Sequence, residues 1–225
     1  MNTTLAELRT LVLQRADMVN SNFCSDAELN AWINQGADCL YDEIVSRYED
    51  YYVESFEFTI ASGQDGYSIP APVYKFRGLD FKISGDWITL HSFTFEERNR
   101  GNRQINRAML GLTNIKYRMV GSRIKIIPAD QAPGTYQAWY IPDIVAMTSD
   151  SDQLNEELER WKEYIIADAA IKCLLKEESD ASGLMAEKEE MTRRVKNMAQ
   201  NRDAGSPERV SDVRNYIYDD PLVRF

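Results

Sequence analysis

The spacing of apolar residues changes twice along the chain, and these changes limit the folds that the chain can adopt. Over residues 4–18 and 25–48, apolar side chains recur every three or four positions, which is typical of amphipathic helices. Short runs of alternating apolar and polar residues follow over residues 51–154, as in half-buried strands. Helical spacing resumes over residues 154–175 and 184–200. The sequence therefore predicts an α+β fold with helices at both ends and a β region between them.

Neither pair of helices can bury much surface by itself. We therefore expect the N-terminal and C-terminal pairs to form one four-helix bundle, with an antiparallel β domain inserted between them. The predicted regions are a helical bundle domain of residues 1–50 and 155–200, a β-rich insert of residues 51–154, and an extended C-terminal arm of residues 201–225.

Local signals place the ends of several elements. Ser25 and Glu28 have the spacing of a capping box, which marks the start of the second helix. Strands 116–120 and 123–127 flank the two-residue loop Gly121-Ser122, in which a glycine at the first position favours a type II′ turn. Further strands are expected over residues 56–60, 74–83, 87–90 and 134–141, with a turn at 63–66 and a helical turn at 93–99.

The arm is short but rich in large apolar residues. Gly205, Ser206 and Pro207 end the preceding helix. The segment after them is too short to fold alone, yet disordered segments are usually poor in such side chains. We expect it to bury them either against its own domain or against a neighbouring chain. The candidate contact residues are Val213, Tyr216, Ile217, Tyr218, Leu222, Val223 and Phe225.

Charge and composition exclude some classes of protein. The formal net charge is −10, which disfavours a sequence-specific DNA-binding protein because an acidic protein repels phosphates. No apolar run reaches membrane-spanning length and no signal-peptide core is present, so we expect a chain that is made and folded in a cytosol and contacts no membrane. The three cysteines form no Cys-x-x-Cys motif and are expected to be free, buried thiols.

The sequence lacks motifs for catalysis. It contains no glycine-rich phosphate loop, no nucleophile elbow and no zinc-protease spacing. The single histidine, His91, is interpreted as a surface or structural residue. Asp150 and Asp152 offer oxygen ligands for a hard cation, but two aspartates in a polar loop more often serve as turn and cap residues. We therefore predict no enzymatic activity, no cofactor and no bound metal.

One segment is basic, although the chain as a whole is acidic. Residues 98–125 contain eight basic residues and no acidic one. We favour a solvated loop and an exposed strand face, and the alternative is a patch that binds an acidic protein partner or passing phosphates. The candidate residues of that patch are Arg98, Arg100, Arg103 and Arg107.

A cluster of tyrosines follows the second predicted helix. Tyr48, Tyr51 and Tyr52 lie close together in the sequence. Tyrosine suits contacts that are partly hydrated, because its ring is apolar and its hydroxyl is polar. We therefore place this cluster at an interface.

Several segments resemble the head-to-tail adaptor (connector) proteins of tailed bacteriophages, and the resemblance covers nearly the whole chain. The helical segments that carry it are Thr4-Leu5-Ala6-Glu7-Leu8-Arg9, Ser25-Asp26-Ala27-Glu28-Leu29-Asn30-Ala31-Trp32-Ile33-Asn34 and Trp161-Lys162-Glu163-Tyr164-Ile165-Ile166-Ala167-Asp168-Ala169-Ala170. The β segments are Tyr67-Ser68-Ile69-Pro70, the hairpin 117–128 and Tyr136-Gln137-Ala138-Trp139-Tyr140-Ile141-Pro142. The β insert is larger than in the smallest, nearly all-helical adaptors.

The resemblance implies a structural virion protein at the head–tail junction, assembled in the host cytoplasm. Such a protein forms a homo-oligomeric ring, usually twelve-fold, that joins the portal to the tail and lines the DNA exit channel. Its partners would be further copies of itself, the portal protein, a tail or nozzle protein, and passing double-stranded DNA without sequence specificity. In this family the C-terminal arm commonly reaches along the portal, which would make the seven arm residues portal contacts. The β part would face the tail.

Other functions remain as alternatives. A tail nozzle, stopper or head-completion protein of the same neck region is the nearest of them. A hydrolase that uses Asp150 or Asp152 would show metal-dependent turnover. A nucleic-acid-binding module that uses residues 98–125 would bind duplex DNA with a steep dependence on salt.

Overall fold

The computed structural model describes residues 2–19, 21–70, 72–102, 115–129 and 132–200, except for the side chains of residues 99–102 and 200. Within these ranges the fold is α+β, as the sequence predicts. The helices are α1 (Leu5–Arg15), α2 (Asp26–Arg47), α3 (Glu156–Glu159), α4 (Lys162–Lys176) and α5 (Ser182–Gln200).

The first two helices begin at capping boxes. At α2, Ser25 and Glu28 exchange hydrogen bonds between side chain and backbone, which confirms the prediction for this helix. Thr4 and Glu7 make the same exchange at α1, although the sequence analysis did not single them out. Each box satisfies backbone N–H groups that a helix start otherwise leaves without a partner.

The prediction of one helix over residues 154–175 is wrong. Asn155 caps the short helix α3, and the chain then turns at Arg160 and Trp161 before α4 begins. Glu159, the last residue of α3, accepts hydrogen bonds from the Thr3 hydroxyl at 2.6 Å and from the Thr3 backbone N–H at 3.0 Å. These bonds hold α3 against the N-terminal segment, so α3 and α4 do not form one continuous helix. Leucine and tryptophan at helical spacing fit either arrangement, which is why the pattern did not show the break.

Helices α1, α2, α4 and α5 contribute to one hydrophobic core. Its fully buried side chains include Leu5, Leu8, Val12, Leu29, Ile33, Leu40, Ile44, Ile165 and Val195. Residues that are far apart in sequence also pair along its edge, since the backbone of Leu5 donates to Asp152 at 2.8 Å and that of Leu154 to Thr3 at 2.9 Å. The beginning of the chain is therefore held against the segment that enters the C-terminal helices.

The described residues contain eight strands, which form two four-stranded sheets. The strands are β1 (Glu54–Ile60), β2 (Gly66–Ser68), β3 (Val73–Ile83), β4 (Asp86–Thr89), β5 (His91–Ser92), β6 (Lys116–Val120), β7 (Arg123–Ile127) and β8 (Gly134–Pro142). The first sheet has the order β1-β8-β3-β4 and is antiparallel. The second sheet has the order β2-β7-β6-β5, in which only β5 and β6 are parallel. A 3₁₀ helix over Phe95–Asn102 follows β5.

The two sheets pack face to face as a sandwich with its own core. Phe58 of β1 stacks on Tyr67 of β2 with 4.2 Å between ring centroids, and the rings of Phe81 and Tyr136 lie 4.8 Å apart. Ile124 and other side chains from both sheets complete this core. Aromatic pairs at such distances stabilise beyond their buried area. The sequence predicted a single β-rich insert and not the separation into two layers.

Several strand predictions are confirmed. The β6–β7 hairpin has the expected register, with Val120 opposite Arg123. Gly121 has φ 60° and Ser122 does not have a positive φ, as a type II′ turn requires. Two short strands were missed, because β2 begins at the last residue of the segment interpreted as a turn and β5 has only two residues.

The cysteine prediction is correct in two of three positions. Cys24 and Cys173 are free and buried, whereas Cys39 is free and exposed on α2. Burial raises the pKa of the Cys173 thiol to about 12, and the neighbouring Cys24 adds to this shift. The buried thiol therefore stays protonated and packs as a small apolar group.

Candidate assembly surfaces

The loop that contains Asp150 and Asp152 is a structural element. The Asp152 carboxylate accepts hydrogen bonds from the backbone N–H groups of Thr148 at 2.7 Å and Ser149 at 2.8 Å. These two bonds lower the pKa of Asp152. Asp150 accepts from the Arg9 guanidinium at 2.6 Å, which joins the loop to α1. Both aspartates thus act as turn and anchoring residues, and no group of three or more metal-binding side chains occurs in the part of the chain that the structure describes.

A buried ion cluster connects three helices. Asp168 of α4 is 5% exposed, and its two carboxylate oxygens each lie 2.6 Å from an ammonium group, one of Lys172 and one of Lys188. Lys172 also donates to Gln35 of α2, at 2.9 Å. A buried carboxylate with two cations is well compensated, since each oxygen has a charged donor. The cluster fixes α5 against α4 and α2 and takes no visible part in chemistry.

The tyrosine prediction is wrong for Tyr52. This side chain is 3% exposed and stacks on Tyr41 with 4.8 Å between ring centroids, inside the helical core. Tyr51 packs partly against the same core and donates its hydroxyl to the Met198 sulfur at 3.4 Å. The two rings therefore join the end of α2 to α5. The spacing of the tyrosines did not reveal this, because the partner residues are distant in sequence.

The described basic residues of the segment 98–125 are held by local partners. Arg98 donates to the Phe95 carbonyl at 2.8 Å and its guanidinium lies over the Phe95 ring. Lys116 pairs with Glu97 at 3.0 Å, and Arg123 pairs with Asp65 at 2.8 Å. Of the four patch residues, Arg103 and Arg107 lie outside the described residues, and only the backbone of Arg100 is described.

The second sheet nevertheless has a basic outer side. The side chains of Tyr117, Met119, Ile124 and Ile126 point into the sandwich core. The alternate residues of β6 and β7 therefore point outward. We call this outer surface the basic face. It includes Lys116, Arg118, Val120, Arg123 and Lys125, and the buried Ile127 lies opposite Lys116 at the end away from the turn. Val120, which lies at the end of β6 beside the Gly121-Ser122 turn, is 55% exposed.

The first sheet has an aromatic outer side. Leu79, Tyr136 and Ala138 point into the core, so the residues between them point outward. We call this outer surface the tryptophan face. It consists of Glu57, Gly78, Asp80, Lys82, Trp87, Gln137 and Trp139. This surface was not predicted from the sequence, although alternation along a strand places Tyr136 and Trp139 on opposite sides of β8.

The geometry of the tryptophan face leaves its central ring accessible. Trp139 is 37% exposed and lies opposite Gly78, which has no side chain to cover it. The Trp139 indole N–H donates to Asp80 at 2.7 Å, which fixes the ring on the sheet. At the hairpin end, the Lys82 ammonium lies 4.9 Å from the centroid of the Trp87 ring.

Val213, Tyr216, Ile217, Tyr218, Leu222, Val223 and Phe225 all lie outside the described residues. Their role therefore rests on the sequence.

These features define an α+β protein with a helical core, a β-sandwich, and charged or aromatic outer faces. A family model described as SU10 adaptor protein matches residues 3–211. The match covers most of the chain, and the protein therefore belongs to this family of phage head-to-tail adaptors. No curated protein matches the chain.

Membership confirms the resemblance seen in the sequence. It supports a structural, non-enzymatic adaptor role in the neck of the virion, in association with other neck proteins. The match ends before Val213, so all seven candidate arm residues lie beyond it. Within the described ranges, no helix combines the length and the apolar character that a membrane crossing needs.

Proposed function

We propose that this protein is a head-to-tail adaptor whose copies form a ring that joins the portal to the tail and surrounds the DNA exit channel. The observation that carries the proposal is the family match over residues 3–211. A ring, usually twelve-fold in such adaptors, needs subunits that are rigid enough to present the same surfaces at every contact. The helical core and the sandwich, each with a closed hydrophobic interior, supply such units.

We assign the helical core to the four-helix bundle that the sequence predicts. Helices α1 and α2 would form the four-helix bundle with α4 and α5, and residues 51–154 would be the inserted domain. Support comes from the ion pair between Arg15 of α1 and Glu187 of α5 and from the pair between Glu43 of α2 and Lys196 of α5, at 3.0 Å. These contacts join the N-terminal and C-terminal helices at both ends of α5.

The described part of α5 ends near the junction of the core and the sandwich, and the arm would leave the molecule there. The contact of Tyr51 with Met198 places the end of α5 beside the segment that joins α2 to β1. From that point, residues 201–225 would extend and contact the portal through Val213, Tyr216, Ile217, Tyr218, Leu222, Val223 and Phe225. Ordering an extended segment costs conformational entropy, and burial of these side chains on docking would offset that cost.

The remaining contacts follow from charge. Arg98, Arg100, Arg103 and Arg107 would bind an acidic surface on the tail or nozzle protein. The net charge of −10 would repel DNA phosphates, so that double-stranded DNA passes without binding to a particular sequence.

Electron microscopy of the purified chain, alone and mixed with portal, tests the proposal. We expect rings, and docking of these rings to the portal. Deletion of residues 205–225 should abolish docking while the unfolding midpoint stays the same, since the role proposed for the arm is in docking and not in folding. As a matched pair, Tyr216→Ser with Tyr218→Ser should weaken docking, whereas Asp219→Asn with Asp220→Asn should not.

Two results would contradict the proposal. A chain that forms no ring and binds no portal is not an adaptor. A chain that forms rings and binds only a tail complex, with or without residues 205–225, is instead a nozzle or stopper protein of the same region.

A further inference from the structure

The two outer faces of the sandwich differ in chemistry, and a ring needs two different surfaces on each subunit. We propose that neighbouring subunits meet through these faces, with the tryptophan face of one copy packed on the basic face of the next. This inference rests on the proposed ring and specifies how its subunits contact one another.

The tryptophan face has the features of a protein-binding surface. Trp139 is exposed, is held by its hydrogen bond to Asp80, and lies beside the bare backbone of Gly78. A Cβ at Gly78 would meet no atom within 4 Å, so the space above the sheet there is open. Rigid tryptophans are enriched at interface centres because they bury a large area and lose little conformational freedom. Glu57 and Asp80 give the middle of this face two negative charges.

The basic face carries the opposite charge. Lys116, Arg118, Arg123 and Lys125 provide four cations, and the carboxylates of Asp65 and Glu97 at the edges balance two of them. Arg118 lies directly opposite Lys125 on the neighbouring strand, so two cations stand side by side in the middle of the face. Adjacent like charges are unfavourable in an isolated subunit and favour an anionic partner. The exposed Val120 adds an apolar contact for an aromatic ring.

The placement of the two faces explains why a second copy of this chain is the partner. The inner sides of the sheets are packed against each other, as the Phe58–Tyr67 stack shows, so the outer sides point in opposite directions. Two different, complementary surfaces on opposite sides of a subunit produce a heterologous contact. Repetition of such a contact generates either a closed ring or an open filament. An isologous dimer, in contrast, would need one face to be complementary to itself.

Charge reversal on each face tests the pairing. Glu57→Arg changes the tryptophan face and Lys125→Glu changes the basic face, and both side chains lie on the surface of the sheets. Each variant alone should form rings at least about ten-fold more weakly than the unchanged protein, because every contact then joins like charges. Arg118→Glu is a second variant of the basic face in case Lys125→Glu is poorly folded. Glu189→Arg on α5 makes the same charge change away from the sandwich and should have no effect.

A mixture of the two variants gives the sharper result. In a ring where Glu57→Arg and Lys125→Glu subunits alternate, each contact joins either two unchanged faces or two reversed faces. Equal amounts of the two should therefore restore rings that neither forms alone. Mass photometry measures the oligomers, and circular dichroism verifies that each variant is folded.

Each outcome separates this inference from the proposed function. If the unchanged protein forms rings and the single variants form them equally well, the subunits meet elsewhere and only this inference fails. If the variants lose rings and the mixture does not restore them, the two faces do not meet each other. If the variants keep their rings but lose binding to a tail or portal complex, a different partner covers the faces. If the unchanged protein forms no ring under any condition, the proposed function fails as well.

Discussion

Gly36 of α2 lies directly against Asp168 of α4. A Cβ added at position 36 would stand 3.1 Å from the Asp168 carboxylate oxygen Oδ2. The carboxylate cannot easily move away, because Lys172 and Lys188 hold it at 2.6 Å on both sides. The absence of a side chain at Gly36 therefore allows α2 and α4 to pack around a buried charge.

We expect Gly36→Ala to destabilise the protein or leave its stability unchanged. Alanine in a helix interior normally gains about 1 kcal/mol over glycine. At this position the new methyl group would displace Asp168 from its two cations, which offsets the gain. Gly183→Ala on α5 is the matched control, since its Cβ would meet nothing within 4 Å, and it should raise stability by up to about 1 kcal/mol. Chemical denaturation measures both. A clear stabilisation by Gly36→Ala would show that the cluster is not rigid.

Asp168→Asn should destabilise the protein by about 3 kcal/mol. The change leaves the ammonium groups of Lys172 and Lys188 without their shared anion in a partly buried site. Equilibrium unfolding in urea measures the loss. The control is Glu190→Gln, which breaks the pair with Arg193 on the surface of α5, where the side chains are 52% and 71% exposed. This pair should contribute less than about 1 kcal/mol. Similar losses for the two variants would contradict the role of Asp168 in fixing α5 against α4 and α2.

Glu28 makes stability depend on pH in the acid range. The hydrogen bond from Lys176, followed by those from the backbone and hydroxyl of Ser25, lowers the pKa of Glu28 from 4.5 to about 2. A carboxyl whose pKa is lower in the folded state stabilises the protein above its unfolded-state pKa, and this contribution is lost as pH falls towards the folded-state pKa. The relevant window is therefore about pH 4.5 to about pH 2.

We expect Glu28→Gln to be less stable than the unchanged protein at pH 7, with a difference that shrinks as pH falls through this window. Lys176→Met removes the largest cause of the shift, so its acid-induced loss of stability should be smaller and should be complete at higher pH than in the unchanged protein. Urea unfolding midpoints at pH 7, 4 and 2.5 measure both effects. A constant difference between Glu28→Gln and the unchanged protein at all three values would show that the charge of Glu28 is not what stabilises the start of α2.

The sequence was most informative where local chemistry decides the structure. The capping box of Ser25 and Glu28 and the turn at Gly121 depend on residues within a few positions of one another, and both are as predicted. Where distant residues decide, the sequence was insufficient. The break at Trp161 depends on the bonds between Glu159 and Thr3, and the burial of Tyr52 depends on its stack with Tyr41.

In the candidate surfaces too, local features could be predicted from the sequence, and features that depend on distant residues could not. The run of basic residues predicted an exposed strand face, and the described lysines and arginines of β6 and β7 do point outward. The ion pairs that balance part of this charge, such as Arg123 with Asp65, connect β7 to the segment before β2 and could not be read from spacing. The tryptophan face depends on the register of β8 with β1 and β3, which only the folded sheet supplies.

Gly66 illustrates how tertiary structure changes the meaning of a turn residue. The sequence assigned it to a turn, but it is the first residue of β2 and pairs with Lys125 of β7. A Cβ at Gly66 would lie 2.3 Å from the backbone carbonyl oxygen of Ile124. This is far inside van der Waals contact, and a backbone atom cannot turn aside as a side chain can. Gly63, in contrast, has φ 86° and open space around it, as expected for a turn glycine.

Gly66→Ala should therefore destabilise the sandwich by about 2 kcal/mol or more, because β2 must separate from β7 to admit the methyl group. Gly78→Ala is the matched control, since it also adds a methyl group within a strand but meets no atom within 4 Å. It should leave the unfolding midpoint nearly unchanged. Separation of β2 would also remove Tyr67 from its stack on Phe58, so the near-ultraviolet circular dichroism of Gly66→Ala should weaken while its helical signal remains. Equal stability of the two variants would mean that β2 does not pair closely with β7.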